Sequence, residues 1–232
     1  MIQNPIPTRR ALLVWQRPLD GSGRRDRHPV GELVEGSGGV TFRYLDLERL
    51  EPARDDGFSE YPGLPIESPD SERIAPDVLI RRLPPRERTD FPDLLTRFGL
   101  PADRDYTDLT LLAYTGARLT GDSFSICETF DGFEGRFSYV FDVAGSRHYV
   151  DYSELEKSDA IFFEREPTNE RDPNAVRLAR GNGNTVGYVN RLQAETVGQW
   201  IDNGSVTGSV FRVNGRIQYP RLFVQADIET ST

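Results

Sequence analysis

The 232-residue sequence has few of the residues on which metal sites, disulfide-bonded folds and many enzymes depend. Its single cysteine, Cys127, excludes an intramolecular disulfide and a metal site built from several cysteines. The two histidines, His28 and His148, are far apart in the chain, and no nearby carboxylate spacing indicates a metal site. The single lysine, Lys157, is remote from any glycine-rich loop, which excludes a Walker-type phosphate loop. We therefore expect no metal, no cofactor and no catalytic residues.

The sequence also lacks long hydrophobic runs. No stretch approaches the roughly 18 consecutive apolar residues that a membrane-spanning helix needs. The N-terminus shows no apolar run before a small-residue cleavage site, so we expect no secretory signal. Hydrophobic residues nevertheless make up 37% of the chain and aromatic residues 10%, which is enough for a packed core. Together these features predict a cytoplasmic protein that has no membrane partner.

Negative charge predominates, with a formal net charge of −9, but it is unevenly distributed. Between residues 173 and 225 six arginines are accompanied by only two acidic residues, so this segment has a net charge of +4. Phosphate contact requires local positive charge, and a contact with nucleic acid is therefore expected in the C-terminal part. The alternative interpretation is an ordinary solvated surface.

Hydrophobic patterns in the first half predict short strands followed by two helices. Strands are expected over 11–15, 30–33 and 40–44. Apolar residues at helical spacing predict a helix over 91–98, and a second helix is expected over 108–115, before Gly116. Residues 52–74 contain many prolines, acids and glycines without periodicity, which predicts a long loop.

The second half has the pattern of a mainly β domain. Strands are expected over 137–143, 160–165, 175–180, 185–190 and 221–228, with a hairpin turn at Asn182-Gly183. One helix is expected between Asn190, which can cap it, and Gly204. The change of pattern predicts two domains, residues 1–133 and 134–232, and an α+β chain overall.

Two motifs in the second half carry a specific resemblance. Residues 165–176 read R-E-P-T-N-E-R-D-P-N-A-V, and residues 186–189 read V-G-Y-V. Together with A-G-S-R-H-Y at 144–149, these segments resemble a HIRAN domain over residues 136–230. The resemblance implies a β-barrel like an OB or SH3 fold with one or two helices. It also implies binding of single-stranded DNA at its 3′ end.

The resemblance implies DNA-binding roles for Arg147, His148, Asn169, Arg171 and Asp172. Asp172 would accept a hydrogen bond from a terminal hydroxyl, and Arg147 would contact phosphate. His148 and Arg171 stand where the family has stacking tyrosines, which would weaken base stacking. Asparagine and aspartate side chains also bind their own backbone, so the motif can equally hold an irregular turn. In that interpretation the barrel is a protein-interaction module.

The first half resembles, in shorter pieces, the N-terminal subdomain of HipA-type serine/threonine kinase toxins. The pieces are L-V-W at 13–15, V-G-E-L at 30–33, T-F-R-Y at 41–44 and the stretch 109–120. The resemblance covers residues 10–130 and implies an α/β domain. Because no kinase body follows, it implies a free-standing antitoxin that docks on a HipA-like kinase encoded nearby.

Three functions therefore remain open from the sequence. The first is a non-catalytic regulator that inhibits a HipA-like kinase through an exposed loop presenting Phe58, Glu60, Tyr61 and Leu64, since aromatic residues often anchor interfaces. The alternative for this loop is a connection packed on its own domain. The second function is binding of single-stranded DNA 3′ ends by the HIRAN-like barrel. The third is an enzyme such as a nuclease, although no cluster of catalytic residue types indicates one.

Overall fold

The computed structural model describes residues 1–18, 26–131, 133–216 and 219–230. Contacts divide the chain into two compact units. The first-half unit consists of Pro7–Leu94 and Arg104–Asp131. The second-half unit consists of Met1–Ile6, Leu95–Asp103 and Gly132–Thr232. Each unit therefore includes more than one stretch of the chain, whereas the sequence predicted two contiguous domains.

A four-stranded antiparallel sheet forms the centre of the first-half unit. The strand order is β3-β2-β1-β4. The bounds are β1 Arg10–Gln16, β2 Arg27–Gly36, β3 Gly39–Tyr44 and β4 Phe124–Glu128. β1 lies between β2 and β4 and is buried from Ala11 to Trp15, which explains its uninterrupted apolar sequence.

Four helices begin in the first-half unit: α1 Leu47–Asp55, α2 Pro69–Ile80, α3 Phe91–Arg97 and α4 Asp108–Thr115. The predicted bounds of α4 are confirmed. The hydroxyl of Thr107 accepts from the backbone N–H of Thr110, and Gly116 ends the helix with φ of 69°. The long loop expected over 52–74 is wrong, because α1 and α2 both extend into it. The loop was predicted in part from its prolines. Two of them belong to helices, since Pro52 lies inside α1 and Pro69 occupies the first position of α2.

A six-stranded antiparallel sheet forms the second-half unit, in the order β5-β10-β9-β6-β7-β8. The bounds are β5 Arg136–Asp142, β6 Ala160–Arg165, β7 Val176–Arg180, β8 Thr185–Tyr188, β9 Gly204–Arg216 and β10 Tyr219–Thr230. Helix α5 spans Arg191–Asn203 and is capped by the side chain of Asn190, as predicted. A bridge between Ala144 and Tyr188 joins the chain after β5 to β8, so the sheet curls on itself.

The curled sheet in a mixed α and β chain confirms the coarse fold prediction for the second half. The sequence did not predict β9, in which Gly204 and Gly208 both lie within the strand. A Cβ at Gly208 would lie 2.5 Å from the ring of Phe163 and 2.9 Å from the carbonyl oxygen of Ile161. Here glycine permits the close approach of β6 to β9 rather than a turn. The likeness of the first half to a HipA subdomain stays a prediction.

Within the described ranges, none of the helices is long and apolar enough to cross a membrane.

Candidate nucleic-acid interface

The turn that follows β5 is anchored on both sides and exposes two of the predicted site residues. Ala144 and Tyr188 exchange two backbone hydrogen bonds, of 2.8 and 2.9 Å. A short 3-10 helix, Ser146–His148, follows, and the buried hydroxyl of Ser146 lies 2.8 Å from the hydroxyl of Tyr152. The side chains of Arg147 and His148 are exposed and contact each other, with the Arg147 Nε donating to His148 Nε2 at 3.1 Å.

A glycine brings this turn close to β8. Gly187 has φ of 142°, and a Cβ there would lie 2.5 Å from Val143 Cγ1 and 2.6 Å from the carbonyl oxygen of Ala144. Only glycine allows both the conformation and the approach. The G-Y pair of the motif therefore has a structural reason: Gly187 lets the strand pass under the turn, and Tyr188 follows directly beside it.

The second predicted site segment, between β6 and β7, is an irregular turn held by its own side chains. The Oδ1 atom of Asn169 accepts from the backbone N–H groups of Arg171 and Asp172, at 3.0 and 3.2 Å. The Oδ1 atom of Asp172 accepts from the N–H of Asn174 at 2.9 Å. These bonds confirm that the polar residues hold the turn. The other carboxylate oxygen, Asp172 Oδ2, lies 3.4 Å from Arg191 Nε.

Tyr188 and Glu166 connect the turn after β5 with the turn between β6 and β7. The hydroxyl of Tyr188 donates to Glu166 Oε2 at 3.0 Å, and Asn169 Nδ2 donates to the same oxygen at 2.6 Å. The ring of Tyr188 packs edge-on against Tyr149, with centroids 5.8 Å apart. Through these contacts the opening turn and the asparagine turn meet on one surface. We call this group the turn cluster: Arg147, His148, Tyr149, Glu166, Asn169, Arg171, Asp172, Tyr188 and Arg191.

The turn cluster places exposed cations around two carboxylates. Arg171 is exposed, and its guanidinium makes no hydrogen bond or ion pair with any described residue. Arg191 has 77% of its side chain exposed, against 17% for Asp172. Burial, together with the hydrogen bond to Glu166, raises the pKa of Tyr188 to about 12, so its hydroxyl remains a donor at neutral pH. Arginines at the rim can contact phosphate, and the carboxylates can accept from a hydroxyl.

The sequence did not single out four members of the cluster: Tyr149, Glu166, Tyr188 and Arg191. Tyr149 is half exposed and directly follows the predicted residues Arg147 and His148 in the chain. The sequence left base stacking to His148 and Arg171. The ring of Tyr149 is a further surface on which a base could stack. Glu166 and Tyr188 lie inside the two quoted motifs, which was the available signal. Arg191, the first residue of α5, lies in neither motif, but it is one of the six arginines of the positively charged segment 173–225.

The predicted kinase-docking loop is packed into the first-half unit. Phe58, Tyr61 and Leu64 belong to its hydrophobic core and are 4%, 8% and 0% exposed. The Tyr61 hydroxyl accepts from Arg82 Nη1 at 3.0 Å, which fixes the ring inside. Of the four predicted residues, Glu60 alone is exposed. The expectation that this loop presents aromatic anchors at the surface is therefore wrong, and the segment is a connection packed on its own unit.

Residues suited to metal or covalent chemistry are not brought together in the described parts of the chain. Within those ranges no group of three or more histidine, cysteine, aspartate or glutamate side chains could hold a metal ion. Cys127 is buried, and burial raises the pKa of its thiol to about 11. It therefore packs as a small apolar residue.

The comparison with protein families matches the second half of the chain. The match is to the HIRAN domain and spans residues 136–230. Among solved structures, the HIRAN domain of human HLTF is 23% identical with a TM-score of 0.34, covering 40% of this chain and 78% of that one. A protein from Lactobacillus plantarum is 21% identical with a TM-score of 0.33, covering 41% and 100%. No curated protein matches. The two structural likenesses are distant, but the family match coincides with the motifs and with the curled sheet, and residues 136–230 are a HIRAN domain.

Proposed function

We propose that this protein binds single-stranded DNA at its 3′ end through the turn cluster, and that it acts by binding rather than by catalysis. The observation that carries the proposal is the meeting of the two motif turns through Tyr188 and Glu166. That contact joins the turn that carries the exposed Arg147 to the turn that carries Asp172, within the residues that match the HIRAN domain.

Each chemical feature of a DNA end has a counterpart in the cluster. The terminal hydroxyl is a donor, and Asp172 Oδ2 is an acceptor whose other oxygen is already used in the turn. The phosphates are anionic, and Arg147, Arg171 and Arg191 are exposed cations. The bases have apolar faces, and Tyr149 offers a half-exposed ring.

The end preference is tested by fluorescence anisotropy with a 12-nucleotide DNA ending in a 3′-hydroxyl and with the same DNA ending in a 3′-phosphate. We expect at least about tenfold tighter binding of the hydroxyl end, because a phosphate would be repelled by Asp172. Asp172→Asn keeps an oxygen for the backbone of Asn174 but removes the charge. It should weaken binding of the hydroxyl end and reduce the difference between the two DNAs.

Asp202→Asn is the matched control. Asp202 is an exposed aspartate of the same domain that pairs with Arg165, outside the turn cluster. This variant should bind both DNAs as the wild type does. Equal wild-type affinity for the two ends, or no binding of either, would contradict the proposed function.

A further inference from the structure

Three arginines of the second-half unit lie close together outside the turn cluster. The Arg212 guanidinium carbon lies 3.9 Å from the ring centroid of Phe223, and that of Arg221 lies 5.0 Å from the same ring. Arg212 also lies over Phe98 at 5.7 Å, next to the exposed Arg97 at the end of α3. We call Arg97, Arg212 and Arg221 the arginine cluster.

The positive charge of this cluster is only partly balanced. Asp142 accepts from Arg221, with Arg221 Nε at 3.3 Å from its Oδ1 atom. Arg212 makes no hydrogen bond or ion pair with any described residue, and its Nε atom is buried without an acceptor. Burial and the neighbouring charges of Arg221 and Arg97 lower the pKa of Arg212. A buried, charged donor without an acceptor is unfavourable, so the site is suited to an added anion.

The aromatic contacts fix the orientation of the unpartnered group. Phe223 is 3% exposed, and in the sheet it is the register partner of both Arg212 and Asp142. A guanidinium stacked on a ring keeps its N–H groups in its plane, at the edges of the stack. Planar, pre-oriented arginine donors match the oxygens of a phosphate.

The arginine cluster is also close to the turn cluster along the sheet. Val143, which follows Asp142, donates its N–H to the carbonyl oxygen of Leu222, which follows Arg221. Four residues separate Asp142 from Arg147, so their Cα atoms are at most about 18 Å apart. At the roughly 3.4 Å per nucleotide of a stacked strand, that upper limit corresponds to at most about five nucleotides.

We infer that Arg97, Arg212 and Arg221 form a phosphate-binding site, and that its occupant is the sugar–phosphate backbone of the DNA strand whose 3′ end lies in the turn cluster. This inference rests on the proposed function and extends it. It assigns the arginine cluster to nucleotides that lie beyond the third from the end and within about five positions of it, and it predicts that affinity depends on DNA length.

The test compares a trinucleotide with the 12-nucleotide DNA, both with 3′-hydroxyl ends, over a series of salt concentrations. Arg212→Gln should weaken binding of the longer DNA about fivefold to tenfold, since one charged contact to phosphate is lost. The slope of log affinity against log salt should fall by about 0.7, the value for one phosphate contact on a single strand. The trinucleotide should bind as before.

Two further variants keep the result interpretable. Arg221→Gln alters a member of the cluster whose side chain is 42% exposed, and it should reproduce the length-dependent loss even if Arg212→Gln is destabilised. Arg136→Gln is the control, because Arg136 lies on β5 of the same sheet, is 72% exposed on its side chain and pairs with Glu229. It should leave both affinities and the salt slope unchanged.

The outcomes separate this inference from the proposed function. If the wild type prefers a 3′-hydroxyl end but the two cluster variants bind the 12-nucleotide DNA with unchanged affinity and slope, the inference is wrong and the proposed function stands. If the wild type binds no DNA, the proposed function fails, and the DNA occupant fails with it. If inorganic phosphate stabilises the wild type but not Arg212→Gln while DNA affinity is unchanged, the occupant is a free anion, and the inference is again overturned.

Discussion

Both units of the protein contain a network of arginine, tyrosine and carboxylate side chains, and the two networks differ in how much water reaches them. In the first-half unit Arg82 is 6% exposed and donates to Asp122, to Tyr61 and to the carbonyl oxygens of Ala117 and Phe124. In the second-half unit Arg191 is 77% exposed on its side chain and its Nε atom faces Asp172.

The two networks contain the same residue types. They differ in how many of the arginine N–H donors already have an acceptor within the protein. A buried arginine whose donors all have acceptors can stabilise the fold but has nothing left for a ligand. The exposed arginines of the turn cluster retain donors that a phosphate could use. The same residue types therefore indicate structure in one unit and binding in the other, and only the structure distinguishes the two. The following substitutions test this contrast, beginning with the largest expected effect.

Phe58→Ala should destabilise the first-half unit by about 3–5 kcal/mol, because a core phenylalanine leaves a cavity when it is truncated. Its ring lies 5.6 Å from that of Trp15 and 6.4 Å from that of Phe124. The chain has two tryptophans, and each is buried in a different unit, Trp15 in the first and Trp200 in the second. In a Trp200→Phe background, Trp15 fluorescence during urea unfolding reports the first-half unit alone.

Glu60→Ala is the matched change in the same segment. Glu60 is exposed, and its loss should change the free energy of unfolding by less than about 0.5 kcal/mol. Similar small effects for both variants would contradict the prediction, because they would mean that this segment contributes little to the core.

Glu128 provides a second, pH-dependent test of burial in the first-half unit. Its carboxylate accepts from the hydroxyl of Thr8 and from the N–H groups of Thr129 and Phe130, and the residue is 1% exposed. Burial raises the pKa of Glu128 from its ordinary value of 4.5 to about 7. Between these two pH values the folded unit holds a proton that the unfolded chain releases. The stability of the unit should therefore fall as pH rises from about 4.5 to 7, by about 3 kcal/mol in total, and should stay level above pH 7.

Glu128→Gln should remove most of this dependence, since the amide cannot ionise. Urea unfolding of wild type and variant, followed by Trp15 fluorescence at pH 5 and pH 7.5, measures the difference. Equal losses of stability in the two proteins over that interval would show that Glu128 is not the group responsible.

Local chemistry made part of the molecule predictable from sequence. Helix α4 was predicted from Gly116 and apolar spacing, β6 from its short run, and the asparagine turn from the side chains of Asn169 and Asp172. Each depends on residues within a few positions of one another. Strand β4 was missed because all of its residues are buried, so no alternation marks it.

Contacts between distant residues could not be predicted in this way. Tyr149 and Tyr188 are 39 positions apart, and only the curl of the sheet brings their rings together. The same holds for Arg212 and Phe98, which no local pattern connects. The burial of Tyr61 was equally hidden, because an aromatic residue in a proline-rich segment has the same local sequence whether it points inward or outward.

Tyr149→Ala tests the exposed side of the contrast and should affect binding without affecting stability. Base stacking on an aromatic ring contributes about 1–3 kcal/mol per base, so the affinity for the 12-nucleotide DNA should fall about fivefold to a hundredfold. Because Tyr149 is 50% exposed, the unfolding of the second-half unit, followed by Trp200 fluorescence in a Trp15→Phe background, should change little. Phe162→Ala is the control, since Phe162 is 51% exposed on β6 of the same domain and lies outside the turn cluster.

If both variants lost affinity equally, general apolar contact rather than the turn cluster would hold the DNA. If Tyr149→Ala bound normally but unfolded readily, Tyr149 would be a structural residue like Phe58, and the contrast between the two units would not extend to their aromatic side chains.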